Sequence, residues 1–226
     1  MLISKQGFGH YNAGINNQDF CFEENGFKIL ADGCSEGKFS EIGTRLFMQI
    51  FASLPDHAKL EKFEENVETT FQKILDFFSS VWTDPDRYQE AITNNLLFTI
   101  VACFELEDRF VVKMLGDGYI VTVNRHRNVS FLKYFFGKCP PYFAYHYCEH
   151  LQDERFKNYT FKTFEFLKTD FLKVGIATDG IEPIAKGLLK NSFDVFLQSE
   201  QDVVFSAEGI ILANMNLFFD DVTILI

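Results

Sequence analysis

The 226-residue sequence predicts an α+β fold, a sandwich of antiparallel sheets with helices outside, on three observations. Strand signals come in runs and helix signals come in runs, without the β-α-β alternation that builds a parallel sheet. Hydrophobic residues make up 47% of the chain and Phe alone occurs 28 times, enough for a core between packed layers and too much for a disordered chain. No Pro-, Gly- or Ser-rich linker divides the chain, so residues 1–226 are expected to form a single domain.

The segment DFCFEENGFKILADG, residues 19–33, alternates apolar and polar residues on both sides of Asn25-Gly26, the dipeptide that favours a type I′ turn. It reads as a β-hairpin whose second strand ends at Asp32. From Ser40 onward Ile42, Leu46, Phe47, Ile50 and Leu54 recur at helical spacing. Phe63, Val67, Phe71, Ile74, Leu75, Phe78 and Trp82 do so again, so two long helices follow the hairpin. Asp84-Pro85 has the chemistry of an N-cap and first helical position for a further short helix. Strand signals return over residues 96–134, where polar breaks at Glu107-Asp108 and at Arg125 to Asn128 predict a meander of short strands. A second strand group holds YTFKTFEFL and FLKVGIATDG. A helix is expected near Ala207 to Asn216, and the chain closes on the β-branched strand DDVTILI. The abundant Phe is expected to fill a thick core between the sheets.

The net charge of −11 argues against nucleic acid as a partner, because a polyphosphate backbone is bound by clustered Lys and Arg. An acidic surface also repels a phosphorylated substrate unless bound cations reverse the local field. No apolar run approaches the ~18 residues that cross a bilayer. The start MLISKQGFGHYN has neither a basic stretch nor a signal-length hydrophobic region, so no membrane association and a cytoplasmic location are expected. Cys21, Cys34, Cys103, Cys139 and Cys148 show no C-x-x-C and no zinc spacing, and are expected as reduced thiols.

Four carboxylates recur in one kind of position. Asp32, Asp117 and Asp179 each end an apolar run and are followed by Gly, while Asp220 opens the last strand. One Asp-Gly is an ordinary turn. A charge at the tip of a buried strand is nevertheless costly unless a cation or several donors meet it. The repetition predicts carboxylates gathered at one end of the sandwich, where their repulsion calls for a counter-ion. Hard divalent cations with oxygen ligands, Mg²⁺ or Mn²⁺, answer that need.

In chain order NNQDF, LADGCSEG, LGDG, ATDG and DDVT resemble the motif series of the metal-dependent serine/threonine protein phosphatases of type 2C. GFGHYNAGINNQDF and ADGCSEGKFSEIG are similar to the compact bacterial subgroup of that family, and the resemblance spans nearly the whole chain. It implies a four-layer αββα sandwich, two antiparallel β-sheets packed face to face with helices on both outer faces. It also implies hydrolysis of phosphoserine and phosphothreonine in proteins by a hydroxide activated between two metal ions. In that scheme Asp32 bridges two ions, the Gly33 carbonyl adds to the second, and Asp179 and Asp220 complete the shell of the first. Asp19 and Gln18 act through ordered waters, and Asp117 with Asp179 holds a third ion. The partners implied are a phosphoprotein substrate and an opposing serine/threonine kinase, with the phosphatase itself a monomer.

The sequence departs from this pattern in places. Where larger members carry a phosphate-gripping Arg, this chain has Gly14, and His10 is the nearby candidate for phosphate donor or general acid. The alternative for His10 is a surface or strand-end position with no role. Cys34 stands where animal members often have His, and with nothing basic adjoining it reads as a small space-filler. Ser40 and Glu41 read either as support for the metal residues or as a helix cap and a first-turn acid. Asp221, where the family often has Asn, stays unassigned between a supporting and a solvated role. His126 belongs to an exposed turn, and His146 with His150 lies in an aromatic-rich loop rather than in a metal motif. Residues Phe135 to Leu151 are expected to cover the site as a flap that governs substrate choice. Two other functions would use the same acids: a phosphatase-like module that binds without turnover, and a two-metal phosphoesterase acting on a small-molecule phosphate.

Overall fold

The computed structural model describes residues 1–134, 140–148, 160–189 and 204–226. Among these residues the strands are β1 (Leu2–Lys5), β2 (Phe20–Glu24), β3 (Phe27–Gly33), β4 (Phe98–Glu105), β5 (Arg109–Leu115), β6 (Gly118–Asn124), β7 (Val129–Tyr134), β8 (Lys162–Leu167), β9 (Phe171–Ala177) and β10 (Val222–Leu225). The α-helices are α1 (Phe8–Ala13), α2 (Ser40–Ser53), α3 (Phe63–Val81), α4 (Pro85–Asn95), α5 (Glu182–Ala185) and α6 (Val204–Ala213). Local chemistry sets several boundaries. Asn25 and Gly26 have φ of 47° and 82°, the left-handed pair that a two-residue hairpin turn requires, and they close the register at Glu24 opposite Phe27. Asp84 caps α4 by accepting from the Arg87 N–H at 3.1 Å, with Pro85 in the first turn.

Every strand pairing is antiparallel, in two sheets of order β1-β10-β9-β6-β7 and β2-β3-β4-β5-β8. The sheets face one another across Leu30, Val101, Val112, Ile120, Val174 and Ile176. Helices α2, α3 and α4 cover the outer face of the second sheet, and α5 and α6 that of the first, which makes the four-layer αββα sandwich. Among the described residues no helix is long and apolar enough to cross a membrane.

The Phe residues sit elsewhere than expected. Phe47, Phe51, Phe63, Phe71 and Phe78 come from α2 and α3 and pack with Phe27, Phe98 and Phe104 of the sheet beneath, so the aromatic core lies between helices and sheet. Phe47 stacks on Phe51 at 5.6 Å and Phe71 on Phe98 at 5.5 Å. The buried residues between the sheets are mainly aliphatic, with Phe110 among them and half-buried Tyr134, Phe164, Phe166 and Phe171 packed against them. Facing sheets interdigitate best with compact branched side chains, whereas a helix stripe lying over a sheet leaves taller gaps that rings fill.

The run over residues 96–134 is likewise no single meander. β4 and β5 belong to one sheet and β6 and β7 to the other, and the chain changes sheets at Gly116-Asp117. Gly116 and Gly118 have φ of 109° and 138°, and a Cβ on Gly116 would stand 2.5 Å from the Thr99 side chain. Only glycine makes so short a crossing, and the crossing sets Asp117 at the shared end of both sheets. β1 and α1, which no periodicity announced, lead to this same end: β1 pairs along β10 and finishes at Lys5 opposite Val222, and α1 follows two residues later. The expected late helix begins at Val204 and gives way to a 3₁₀ turn at Met215–Leu217.

Candidate metal centre

Each acid reaches the site from the end of a different strand. Asp32 lies opposite Thr99 at the end of β3, and the Cys34 N–H then donates to the Leu97 carbonyl at 2.9 Å, turning the chain away. A Cβ at Gly33 would meet the Ser40 Oγ at 2.8 Å and the Gln18 carbonyl oxygen at 2.9 Å, so this glycine lets the segment before β2 close on Asp32. Asp179 begins a 3₁₀ turn two residues past the last residue of β9, and Asp220 stands two residues before the first residue of β10. The two strand ends are clamped together: the Thr178 N–H donates to the Thr223 carbonyl, and the Thr223 N–H returns to the Thr178 Oγ1, both at 3.0 Å.

Asp32, Asp117, Asp179 and Asp220 line one cleft of about 300 Å³. Its other walls include Cys34, Thr99, Pro140, Tyr142 and Tyr145, and among the described residues lining it there is no Lys or Arg. The aromatic wall is braced from behind, where Phe143 meets Phe71 of α3 at 4.6 Å. Of the segment expected as a flap, residues 140–148 are described, and Pro140, Tyr142 and Tyr145 do face the cleft. Cys139, His150 and the remainder of that segment lie outside the described residues.

Burial dominates the electrostatics, and the crowding of the acids adds to it. Although Asp32 opens to the cleft on one side, burial raises its pKa well above the carboxylate range, and Asp19, Asp179, Asp220 and Asp117 each push further in that direction. Asp179 is pushed up to about 7 by burial and then by Asp117 and Asp220, against the pull of Lys133. Burial also raises Asp117, held down in part by its own backbone N–H and by Lys133. Asp220 is raised by burial and by Asp221, while the Asp221 N–H and His10 oppose the rise. Asp19 is 3% exposed, and its pKa is raised by burial, then by Asp221 and Asp220. The hydroxyls of Thr223 and Thr178 temper that rise without reaching hydrogen-bond geometry, and neither Asp19 oxygen has a hydrogen-bond partner. A buried carboxylate with two unpartnered oxygens, in the field of Asp221, Asp220 and Asp32, is costly unless a cation or ordered water meets it, and hard cations take such oxygen ligands.

Three residues take positions the sequence did not reveal. Asp221 is 2% exposed, its Oδ1 accepting from the Gly7 N–H at 2.7 Å and its Oδ2 from the Gln18 N–H at 2.6 Å. His10 is buried on α1, with Nδ1 2.9 Å from Asp221 Oδ2, an ion-pair contact without hydrogen-bond alignment, and Nε2 3.7 Å from Asp220 Oδ1. It therefore occupies neither the surface nor a strand end. Gln18 donates from Nε2 to the Ser40 Oγ at 2.6 Å, while its Oε1 is buried and unpartnered. Ser40 is thus bound to Gln18 and does not cap α2, whose N-cap is Phe39 without a side-chain bond. Glu41 is the first-turn acid of α2, with one oxygen buried and unpartnered. His126 lies exposed in the β6-β7 turn, and His146 packs edge-on against Phe143 at 5.3 Å. Cys21, Cys34, Cys103 and Cys148 are free thiols. The Asp-Asp pair at the head of a β-branched strand was the one sequence signal for Asp221, since two adjacent carboxylates there cannot both face the cleft when side chains alternate along a strand.

The protein phosphatase 2C family model matches residues 6–208. The serine/threonine phosphatase Stp1 of Staphylococcus aureus superposes with a TM-score of 0.65 at 12% identity, covering 99% of this chain and 92% of that one. The catalytic domain of the serine/threonine protein phosphatase PstP, in complex with 2 manganese ions, superposes with a TM-score of 0.62 at 16% identity, covering 99% and 94%. PppA, a regulatory component of the type VI secretion system in Pseudomonas aeruginosa, does so with a TM-score of 0.63 at 13% identity, covering 99% and 94%. At these identities the structures share a fold. No curated protein matches the sequence significantly.

Proposed function

This chain belongs to the protein phosphatase 2C family, and from that premise we propose that it hydrolyses phosphoserine and phosphothreonine in proteins with the help of two divalent cations, Mn²⁺ or Mg²⁺. The observation that carries the reading is Asp19, buried with both oxygens unpartnered behind a cleft lined by Asp32, Asp117, Asp179 and Asp220. In this reading Asp32 would be shared by the two ions, the Gly33 carbonyl would serve one of them, and Asp179 and Asp220 would serve the other. Asp117 with Asp179 would hold a third ion, and Asp19 with the unpartnered Oε1 of Gln18 would act through ordered water. Bound ions supply the charge that receives a phosphate and the acidity that makes water a nucleophile at neutral pH. Among the described residues no Lys or Arg lines the cleft to hold the phosphate instead. His10 Nε2, 3.7 Å from Asp220, is close enough to the ligand set to influence it, while the burial of the ring supports a grip on substrate less well.

The substrate proposed is a phosphoprotein, opposed to a serine/threonine kinase, with a monomeric enzyme acting in the cytoplasm. Hydrolysis of a phosphothreonine peptide with Mn²⁺, with Mn²⁺ plus EDTA and with metal-free protein tests the reading. Turnover that EDTA abolishes and Mn²⁺ restores is expected. Tight Mn²⁺ binding without turnover of either a phosphopeptide or an aryl phosphate would make the protein a binding module, and turnover of the aryl phosphate alone would make it a small-molecule phosphoesterase.

A further inference from the structure

We propose that Asp221 is a positioning residue that acts through His10 on Asp220, turning one oxygen of that carboxylate inward and leaving the other for a cation. The proposal rests on the reading of Asp220 as a metal ligand. Asp221 uses its oxygens separately, one for the Gly7 N–H and one for the Gln18 N–H. An Asn here has one acceptor oxygen and would aim its NH₂ at the other N–H, so only a carboxylate serves both. By gripping Gly7, Asp221 seats the residue that opens α1, whose first turn also docks through Phe8 N–H to the Phe218 carbonyl at 2.7 Å and Gly9 N–H to the Phe219 carbonyl at 2.9 Å. Gly7 tolerates no side chain, since a Cβ would stand 2.3 Å from the Asp220 carbonyl group.

His10 is presented on that seated helix. Its Nδ1 meets Asp221 Oδ2 at 2.9 Å, which directs the opposite ring nitrogen towards Asp220 Oδ1 at 3.7 Å. The same Oδ1 accepts from the Asp221 backbone N–H at 2.9 Å. The Asp221 N–H therefore holds Oδ1 by a hydrogen bond, the edge of the His10 ring closes on the same oxygen at 3.7 Å, and Oδ2 remains as the oxygen for the cleft. Groups that orient a metal ligand in this way are worth 10–100-fold in metal affinity or activity.

Calorimetric Mn²⁺ binding, the melting temperature of the metal-free protein, and kcat and KM on a phosphothreonine peptide are measured for wild type, Asp221→Asn, His10→Ala, His10→Gln, His10→Asn and the Asp221→Asn/His10→Ala pair. Asp221→Asn and His10→Ala are each expected to weaken Mn²⁺ binding and lower kcat by about 10-fold or more, with KM little changed. The pair should be no worse than its worse member, because both changes break one path. His10→Gln, which keeps a nitrogen near the Nε2 position, should bind Mn²⁺ more tightly than His10→Asn, which keeps one only near Nδ1. A lower melting temperature with Mn²⁺ affinity and kcat within about twofold of wild type would reduce Asp221 to a structural tie and overturn the proposal. Losses that multiply in the pair, or His10→Asn equal to His10→Gln, would overturn it too. Should Asp221→Asn fail to fold, Mn²⁺ affinity unchanged in His10→Ala overturns it by itself. A wild type that binds Mn²⁺ without hydrolysis refutes the phosphatase reading alone, and the Mn²⁺ affinities then decide this one.

Discussion

Gly180 and Asp221 touch so closely that a Cβ at position 180 would lie 1.8 Å from the Asp221 carbonyl oxygen. This contact joins the end of β9 to the start of β10, with Asp179 and Asp220 each one residue away from it.

Gly180→Ala therefore has to move backbone, and neither neighbour is a flexible side chain. Chemical denaturation is expected to show a loss of about 1–3 kcal/mol, the usual cost of overpacking, together with weaker Mn²⁺ binding. Gly209→Ala is the matched control: Gly209 lies exposed in α6 with nothing near its missing Cβ, and the change should be neutral or stabilise by about 0.5–1 kcal/mol. Equal effects of the two substitutions would show that the contact does not constrain the centre.

Asp32 is the carboxylate on which Asp19, Asp117, Asp179 and Asp220 all act. Asp32→Asn should abolish phosphopeptide hydrolysis and weaken Mn²⁺ binding, yet raise the melting temperature of the metal-free protein, because one repelling charge has gone. Activity within tenfold of wild type at saturating Mn²⁺ would remove Asp32 from the centre.

The pH dependence has a definite sign. Burial and neighbouring acids push Asp179 up to about 7, against about 3.9 for an unfolded Asp. Between those values the folded protein binds more protons than the unfolded chain, so metal-free stability falls as pH rises and is greatest on the acid side. Glu182, lowered by its bonds to Lys133 and Lys186, works the other way, but its contribution is complete once pH is above the ordinary Glu value of about 4.3. In EDTA the melting temperature should drop from pH 5 to about 7.5, and Mn²⁺ should restore more stability at the upper end. A melting temperature that climbs over this interval without metal would contradict the crowding of the acids.

Asp117 stands between two glycines of positive φ that make the turn without it. Asp117→Ala should fold normally and keep two bound Mn²⁺ in the proposed central pair, while kcat falls by about 10²–10³, the scale of one lost electrostatic contributor. Calorimetric stoichiometry and steady-state kinetics measure both, and an emptied central pair would show that Asp117 belongs to it.

Phe71 carries the aromatic wall of the cleft on its far side, meeting Phe143, Phe98 and Phe47. Phe71→Ala should cost about 3–5 kcal/mol in urea unfolding and raise KM for phosphopeptide more than it lowers kcat. An unchanged KM would separate the wall from substrate binding.

Much of the fold was legible because its signals are local. Alternation around Asn25-Gly26, the helical spacing of Phe63 to Phe78 and the Asp84-Pro85 start depend on backbone chemistry within a few residues, and each appears where expected. α1 was not legible. A helix of six residues is marginal alone, and this one exists because Gly7, Phe8 and Gly9 dock on residues 218–221 from the other end of the chain.

By itself the sequence determined the sandwich class and the carboxylates that end its strands, since periodicity and turn chemistry are properties of short segments. Tertiary structure alone decided which sheet each strand joined, that the Phe rings lie under the helices, and that His10 and Asp221 form one buried unit behind Asp220. Those outcomes depend on contacts between residues as much as 223 positions apart, as in Leu2 with Leu225, and such pairings are set by the packing of whole layers rather than by any local preference.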